Sequence, residues 1–209
     1  MKVNGSSRGK PERRTQAQRT AETRARLMAA GRRLFAEHAF ADVSTQQLVE
    51  AAGVTRGALY HQFEDKAALF AAVYEQVEEE LVAQVADGMV AAAPTGQLDA
   101  MRHGVRLFLD LCAAPEVHRI VLVNAPAVLG WQRWREVGAK YGLGVIEAML
   151  TQAVADGVLP PQPVRAAAHV LLGALDEAAL YVSRAEDAAQ ARADMLEVCD
   201  RILAGLAAR

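Results

Sequence analysis

Between Gly53 and Gln62 the chain carries a glycine, a hydroxyl, two very small residues and two polar rings: Gly53, Thr55, Gly57, Ala58, Tyr60 and His61. Thr55 is suited to cap a helix running to about Gln62, so that uncovered backbone N–H groups and the positive end of the helix dipole face whatever approaches. Such an end favours a phosphate. Gly57 and Ala58 let another surface come close, and Tyr60 and His61 bring hydrogen-bonding groups to it, a combination suited to reading base edges in a nucleic-acid groove. On a helical wheel Leu59 and Phe63 fall together on the opposite side and anchor the helix, while Arg56 projects nearer that anchored side.

The other reactive side chains do not assemble into a reaction centre by spacing. His38, His61, His103, His118 and His169 lack metal-ligand intervals, and there is no Gly-x-Ser-x-Gly. Tyr141-Gly-Leu-Gly lacks the third glycine and the preceding strand of a dinucleotide site. Cys112 and Cys199 are isolated in apolar helical patterns, where thiols act as small core hydrophobes. Neither catalysis, a cofactor nor a metal is expected.

The elements that must hold the Thr55 constellation are helices. A first helix is expected from Thr20 to near His38, with Leu27, Ala30, Gly31, Leu34 and Phe35 on one side. Ser44, with Gln47 three residues on, predicts a capping box opening a short second helix. Gly53 supplies the left-handed residue that ends it, Val54 plugs the core, and Thr55 opens the third helix. Helix, glycine turn, helix is a helix-turn-helix. From Lys66 onward long helices are expected at about 66–92, 97–113, 117–125, 131–157, 162–184 and 188–207, broken by Pro and Gly clusters. With abundant Ala and 5% aromatic residues, the fold class expected is all-α.

Charge divides the chain as the helices do. Residues 1–66 hold 12 Lys+Arg against 7 Asp+Glu, which leaves 11 against 18 of the totals of 23 and 25 for the remainder. A basic front and an acidic back imply a nucleic-acid end and an end with another task. Three parts are expected: a flexible basic arm at 1–19 (Lys2, Arg8, Lys10, Arg13, Arg14, Arg19), a helix-turn-helix domain at 20–66 and a helical domain at 67–209. The arm suits phosphate or minor-groove contact, or is a solvated tail. No stretch reaches about 18 uninterrupted apolar residues, and no signal-peptide core is present, so a cytoplasmic protein with no membrane partner is expected.

Residues 20–70, and most specifically AAGVTRGALYHQFEDKAAL, closely resemble the DNA-binding domain of the tetracycline-repressor (TetR) family of bacterial regulators. The resemblance implies a regulator bound to double-stranded operator DNA, with groove-reading roles for Thr55, Arg56, Gly57, Ala58, Tyr60 and His61. It also implies a phosphate contact for Lys66 and a backbone contact for Thr45. Two departures stand out: Ala39 where the family usually has Gly, and Gly31 where it usually has Ala.

The back half must be read without a motif. One long helix lines up Trp131, Trp134, Gly138, Tyr141, Val145 and Met149, and another lines up Leu98, Met101, Val105, Phe108 and Cys112 beside Arg102. Arg102, Phe108, Trp131, Trp134, Tyr141 and Met149 are candidate walls of a pocket for a small, mainly apolar or aromatic effector; a plain core would look the same. Gly138, Gly142 and Gly144 suggest a kink or a close approach. The last two helices have more apolar surface than one neighbour can cover, which makes Leu171, Leu175, Val182, Ile202 and Leu206 candidates for a homodimer interface. Asp176 and Glu177 fall off the main apolar face, as interface or solvent charges or else as pocket groups. A homodimeric repressor released from a palindromic operator by its effector fits these features. A ligand-blind regulator or architectural factor would bind DNA with no response to metabolites, and a helical enzyme with a DNA-binding head would turn its ligand over.

Overall fold

A computed structural model describes residues 15–92 and 94–207, and every regular element among them is helical. Helix α1 (Gln16–Glu37) begins at Gln16 rather than Thr20. The cause is a reciprocal cap: the Thr15 hydroxyl accepts from the Gln18 amide at 3.2 Å, and the Gln18 side chain accepts from the Thr15 amide at 2.7 Å. Arg19 therefore belongs to α1, whereas the remaining basic residues expected in an arm lie outside the described residues.

A 3-10 turn (Phe40–Asp42) leads to α2 (Thr45–Ala52) and α3 (Arg56–Gln62). Ser44 and Gln47 form the expected capping box. Gly53 takes φ 60°, and the Val54 amide donates back to Val49. Arg26 donates to the Gly53 carbonyl at 2.7 Å, and a Cβ at Gly53 would come within 2.5 Å of that guanidinium. The left-handed backbone is what requires glycine there, since the Arg26 guanidinium ends a flexible side chain that could give way. Leu27, Phe35, Leu48 and Leu59 are fully buried beneath these helices.

The two departures at residues 31 and 39 fit locally. Gly31 is buried, and a Cβ would press on Phe35, Val73 and Leu69 at 3.3–3.5 Å. Ala39 has φ -64°, which any residue adopts.

Helix α4 (Lys66–Ala91) starts in the head and crosses into the body formed by α5 (Gln97–Ala113), α6 (Pro115–Val117), a π-helical turn (His118–Asn124), α7 (Ala125–Ala155), α8 (Val164–Arg184) and α9 (Ala188–Ala207). One apolar cluster runs without a gap from Leu27 and Phe35 through Leu69, Phe70, Val73 and Val77 to Ile120, Val137, Ala179 and Cys199. A second cluster (Met101, Leu150, Ala153, Leu159, Ala168, Leu203) fills the far end.

Polar ties reinforce the head-to-body junction. The buried Asn124 amide donates to the carbonyls of Phe35 at 3.1 Å and His38 at 3.3 Å, and its oxygen accepts from the Phe40 amide at 3.2 Å. Beside it Arg32 on α1 binds Glu116 and Glu80, each at 2.6 Å. This spends the polar groups at the end of α1 on residues of the body, the arrangement that buried backbone groups demand.

The break in α7 falls at Gly130 (φ 79°, ψ 159°) and not at the later glycines. Gly142 allows Leu172 to approach, where a Cβ would lie at 3.4 Å, and Gly138 leaves room beside Glu78, where it would lie 3.7 Å from Oε1. Nothing approaches Gly144. Helix α8 is long and apolar enough by composition to cross a membrane, although its window is interrupted by Asp176 and Glu177 and 33% of it is buried.

Candidate nucleic-acid interface and ligand cavity

The head presents α3 outward. The Thr55 hydroxyl accepts from the Ala58 amide at 3.2 Å, and Leu59 and Phe63 are buried behind the helix. Thr55, Arg56, Gly57, Tyr60 and His61 are exposed, with Ala58 partly so. Contrary to the wheel, Arg56 is on the outer side: its guanidinium lies over the Tyr60 ring at 5.7 Å and donates to the phenol oxygen at 3.5 Å. That hydrogen bond, with a smaller one from Thr45, pulls the Tyr60 pKa below its ordinary value. Thr45, Arg56 and Tyr60 thus share one patch.

Lys66 is placed differently from a free phosphate ligand. Its ammonium donates to the carbonyls of Phe40 at 2.8 Å and Val43 at 2.7 Å and sits over the Phe40 ring at 4.1 Å. Burial lowers its pKa. The 3-10 turn ends on carbonyls that need a donor, and the Phe40 ring draws the cation inward.

Sequence reasoning missed the other wall of this face. A groove of about 550 Å³, counting its open side, runs between Ala58, His61 and Gln62 of α3 and Gln16, Arg19, Thr20 and Thr23 of α1. The signal was the Thr15/Gln18 cap, which turns residues assigned to an arm into one face of a helix. The groove is open, polar and bordered by a basic residue, as a phosphate track requires.

The body holds an apolar cavity of about 960 Å³, counting its open mouth, among α4, α5, α7, α8 and α9. Of the expected wall residues it includes Phe108 and Met149. Arg102, Trp131, Trp134 and Tyr141 are outside its lining. Trp134 is buried in the first apolar cluster, where its carbonyl accepts from the Tyr74 hydroxyl at 3.0 Å, and Trp131 is 58% exposed and lies against it with the rings tilted at 46° and their centroids 4.8 Å apart. Tyr141 is partly buried and takes a hydrogen bond from Lys140, and Arg102 is paired with Asp200. The stripe on α7 is continuous, but its Trp end faces α4 while its Met end faces the cavity.

The interface candidates also divide. Leu171, Leu175 and Ile202 contribute to the cavity wall, Val182 is buried, and Leu206 packs on the second cluster. The outer faces of α8 and α9 instead expose Val170, Tyr181 and Val198, while Ile202 is 38% exposed at the cavity wall.

Two acids enter the cavity, Glu78 from α4 and Asp176 from α8. Asp176 is paired with Arg135. Glu78 is 8% exposed and has no hydrogen-bond or ion-pair partner among the described residues. Burial first, and the negative Asp176 second, push its pKa up to about 7. Glu78 lies in the acidic run Glu78-Glu79-Glu80, but its place one turn after Tyr74 and beside Val77 and Leu81 marks it as the inward member.

This acid has a consequence for stability. Below pH 4.5 both the folded and the unfolded chain keep the Glu78 proton. Between 4.5 and about 7 the unfolded chain ionises while the folded one resists, so this site makes stability fall as pH rises, and above 7 the penalty is complete. Glu78→Gln is expected to raise stability at pH 8 by on the order of 2–3 kcal/mol and to remove that slope. Urea unfolding at pH 5 and pH 8 measures both; an equal loss of stability at the two pH values would contradict the assignment.

Residues 27–73 match the profile described as bacterial regulatory proteins, tetR family, and residues 98–206 match the tetracyclin repressor-like C-terminal domain. A solved TetR-family transcriptional regulator from Pectobacterium atrosepticum is similar at 33% identity and TM-score 0.79, over 92% of this chain and 97% of that one. The HTH-type transcriptional regulator AcrR of Shigella flexneri is 30% identical over 105 residues, 50% of this chain and 48% of AcrR. The HTH-type transcriptional repressor Rv1474c of Mycobacterium tuberculosis is 32% identical over 96 residues, 46% of this chain and 44% of that protein. The chain thus spans about half the length of these curated relatives.

Proposed function

The chain belongs to the TetR family of bacterial regulatory proteins, and from that premise we propose that it is a homodimeric, cytoplasmic transcriptional repressor released from operator DNA by a small effector. The observation that carries the proposal is the outer face of α3. A capped helix N-terminus, two small residues and the Arg56–Tyr60 pair stand exposed on a buried anchor, beside a polar groove. This supports close approach to a major groove, with α1 tracking the adjacent phosphates.

Two copies would place their α3 helices in successive major grooves, about 34 to 36 Å apart, on a palindromic site. The exposed apolar residues of α8 and α9 support a second copy packing there and forming a four-helix contact. The cavity supports an effector held in the body, which shifts the dimer only to the extent that it binds the two states unequally.

The experiment is selection of bound duplexes from a random library by the full chain, followed by titration at several salt concentrations. Enrichment of a two-fold symmetric site with a steep salt dependence is expected. Binding that stays equal across all duplexes would refute sequence-specific repression and leave only general affinity for DNA.

A further inference from the structure

The cavity walls are apolar apart from two carboxylates, and only one of these is satisfied. Asp176 is neutralised by Arg135. Glu78 has no partner, is more than nine-tenths buried and turns into the cavity, where the absent side chain of Gly138 leaves room at its Oε1. An unpaired carboxylate in an apolar enclosure either holds a proton or waits for a positive charge. Around it Met89, Met101 and Met149 supply flexible, polarisable walls and Phe108 a ring face, which suit an apolar body and tolerate a nearby cation.

We infer that the effector is an amphipathic cation: an apolar or aromatic body lodged among the methionines and Phe108, carrying a protonated amine that pairs with the Glu78 carboxylate. This rests on the reading of the cavity as the effector site and specifies its ligand class. An anionic ligand would meet the unpaired Glu78 carboxylate in an apolar enclosure and be rejected. A neutral alcohol would gain one hydrogen bond but leave the acid's charge unbalanced. Pairing takes an amine with its proton attached and a Glu78 that is partly protonated near neutral pH; the Glu78 proton is released to solvent as the ion pair forms.

The inference is tested on the full-length protein with three compounds of one shape: 4-phenylbutylamine, 4-phenylbutan-1-ol and 4-phenylbutanoate. Calorimetric titration at pH 7, in two buffers of different ionisation enthalpy, gives affinity and protons released. The amine is expected to bind at least tenfold more tightly than the alcohol and to release a fraction of a proton, and the carboxylate to bind most weakly. Glu78→Gln should abolish the amine's advantage and its proton release while keeping affinity for the alcohol, whereas Asp176→Asn should retain the preference for the amine. If the alcohol binds and loosens operator DNA while the amine has no advantage, the cation assignment falls and the effector reading stands. If Glu78→Gln keeps the amine preference, the assignment to Glu78 falls. Failure of all three compounds to bind the wild-type protein overturns both readings.

Discussion

Gly57→Asp is expected to abolish operator binding while leaving the fold intact or slightly more stable. A Cβ at Gly57 would meet only the Thr55 hydroxyl, at 4.0 Å, so a side chain fits without displacing anything. Within the helix an ordinary residue is favoured over glycine by about 0.5–1 kcal/mol, and an acid in the first turn gains a few tenths more from the dipole. On the DNA side the signs reverse. The same carboxylate stands where phosphates and base edges must approach, and it occurs twice in a dimer. Losing about 1–3 kcal/mol in each half-site lowers affinity by roughly 30-fold at the least and by more than about 1,000-fold at the upper end. Fluorescence anisotropy with the selected site, together with a thermal melt, reads the two effects separately. A variant that melts normally and binds normally would remove α3 from the interface.

Tyr181→Glu combined with Val198→Glu is expected to yield a folded monomer that no longer holds the full operator. Both side chains are about half exposed, at 49% and 48%, so neither change disturbs the body's own core. In a dimer the two changes bring four carboxylates into one apolar contact, each costing several kcal/mol to desolvate unpaired. Sedimentation velocity gives the mass, circular dichroism the fold and anisotropy the DNA affinity, which should fall by roughly 100-fold as two linked half-sites become one. Intact dimers would place the second copy elsewhere. Leu175, which joins the cavity wall, is a poor choice for this test because a charge there damages pocket and fold together.

The head was legible because its signals are local. The Ser44/Gln47 box, Gly53 and the Thr55 cap each act within a few residues, and each forms as expected. The start of α1 was misplaced for an equally local reason, since Thr15 and Gln18 lie in a polar stretch that reads as an arm. The body was legible as helices but not as a site. A helical wheel says which residues share a face and not which neighbour that face meets. Trp134 and Met149 lie on one stripe of α7, yet the first packs on Tyr74 and the second opens on the cavity. Leu171 and Leu175 are apolar beyond the needs of one neighbouring helix, and the cavity is what adjoins them. Lys66 is held by carbonyls and a ring brought together by the 3-10 turn, and no spacing in sequence announces that geometry.

The apolar cluster that passes unbroken from Leu27 to Cys199 determines how the chain comes apart. Phe70 is buried against Phe35 and Phe40 in the head, while Val77, a few residues along the same helix, belongs to the body. Neither half can open without exposing apolar surface that the other covers, and Asn124 would lose its carbonyl partners in the same event. Melting is therefore expected to be cooperative across the junction, and limited proteolysis is expected to find no early cut near residue 66. With such cooperative melting, stabilisation gained in the body on filling the cavity is expected to be shared by α3.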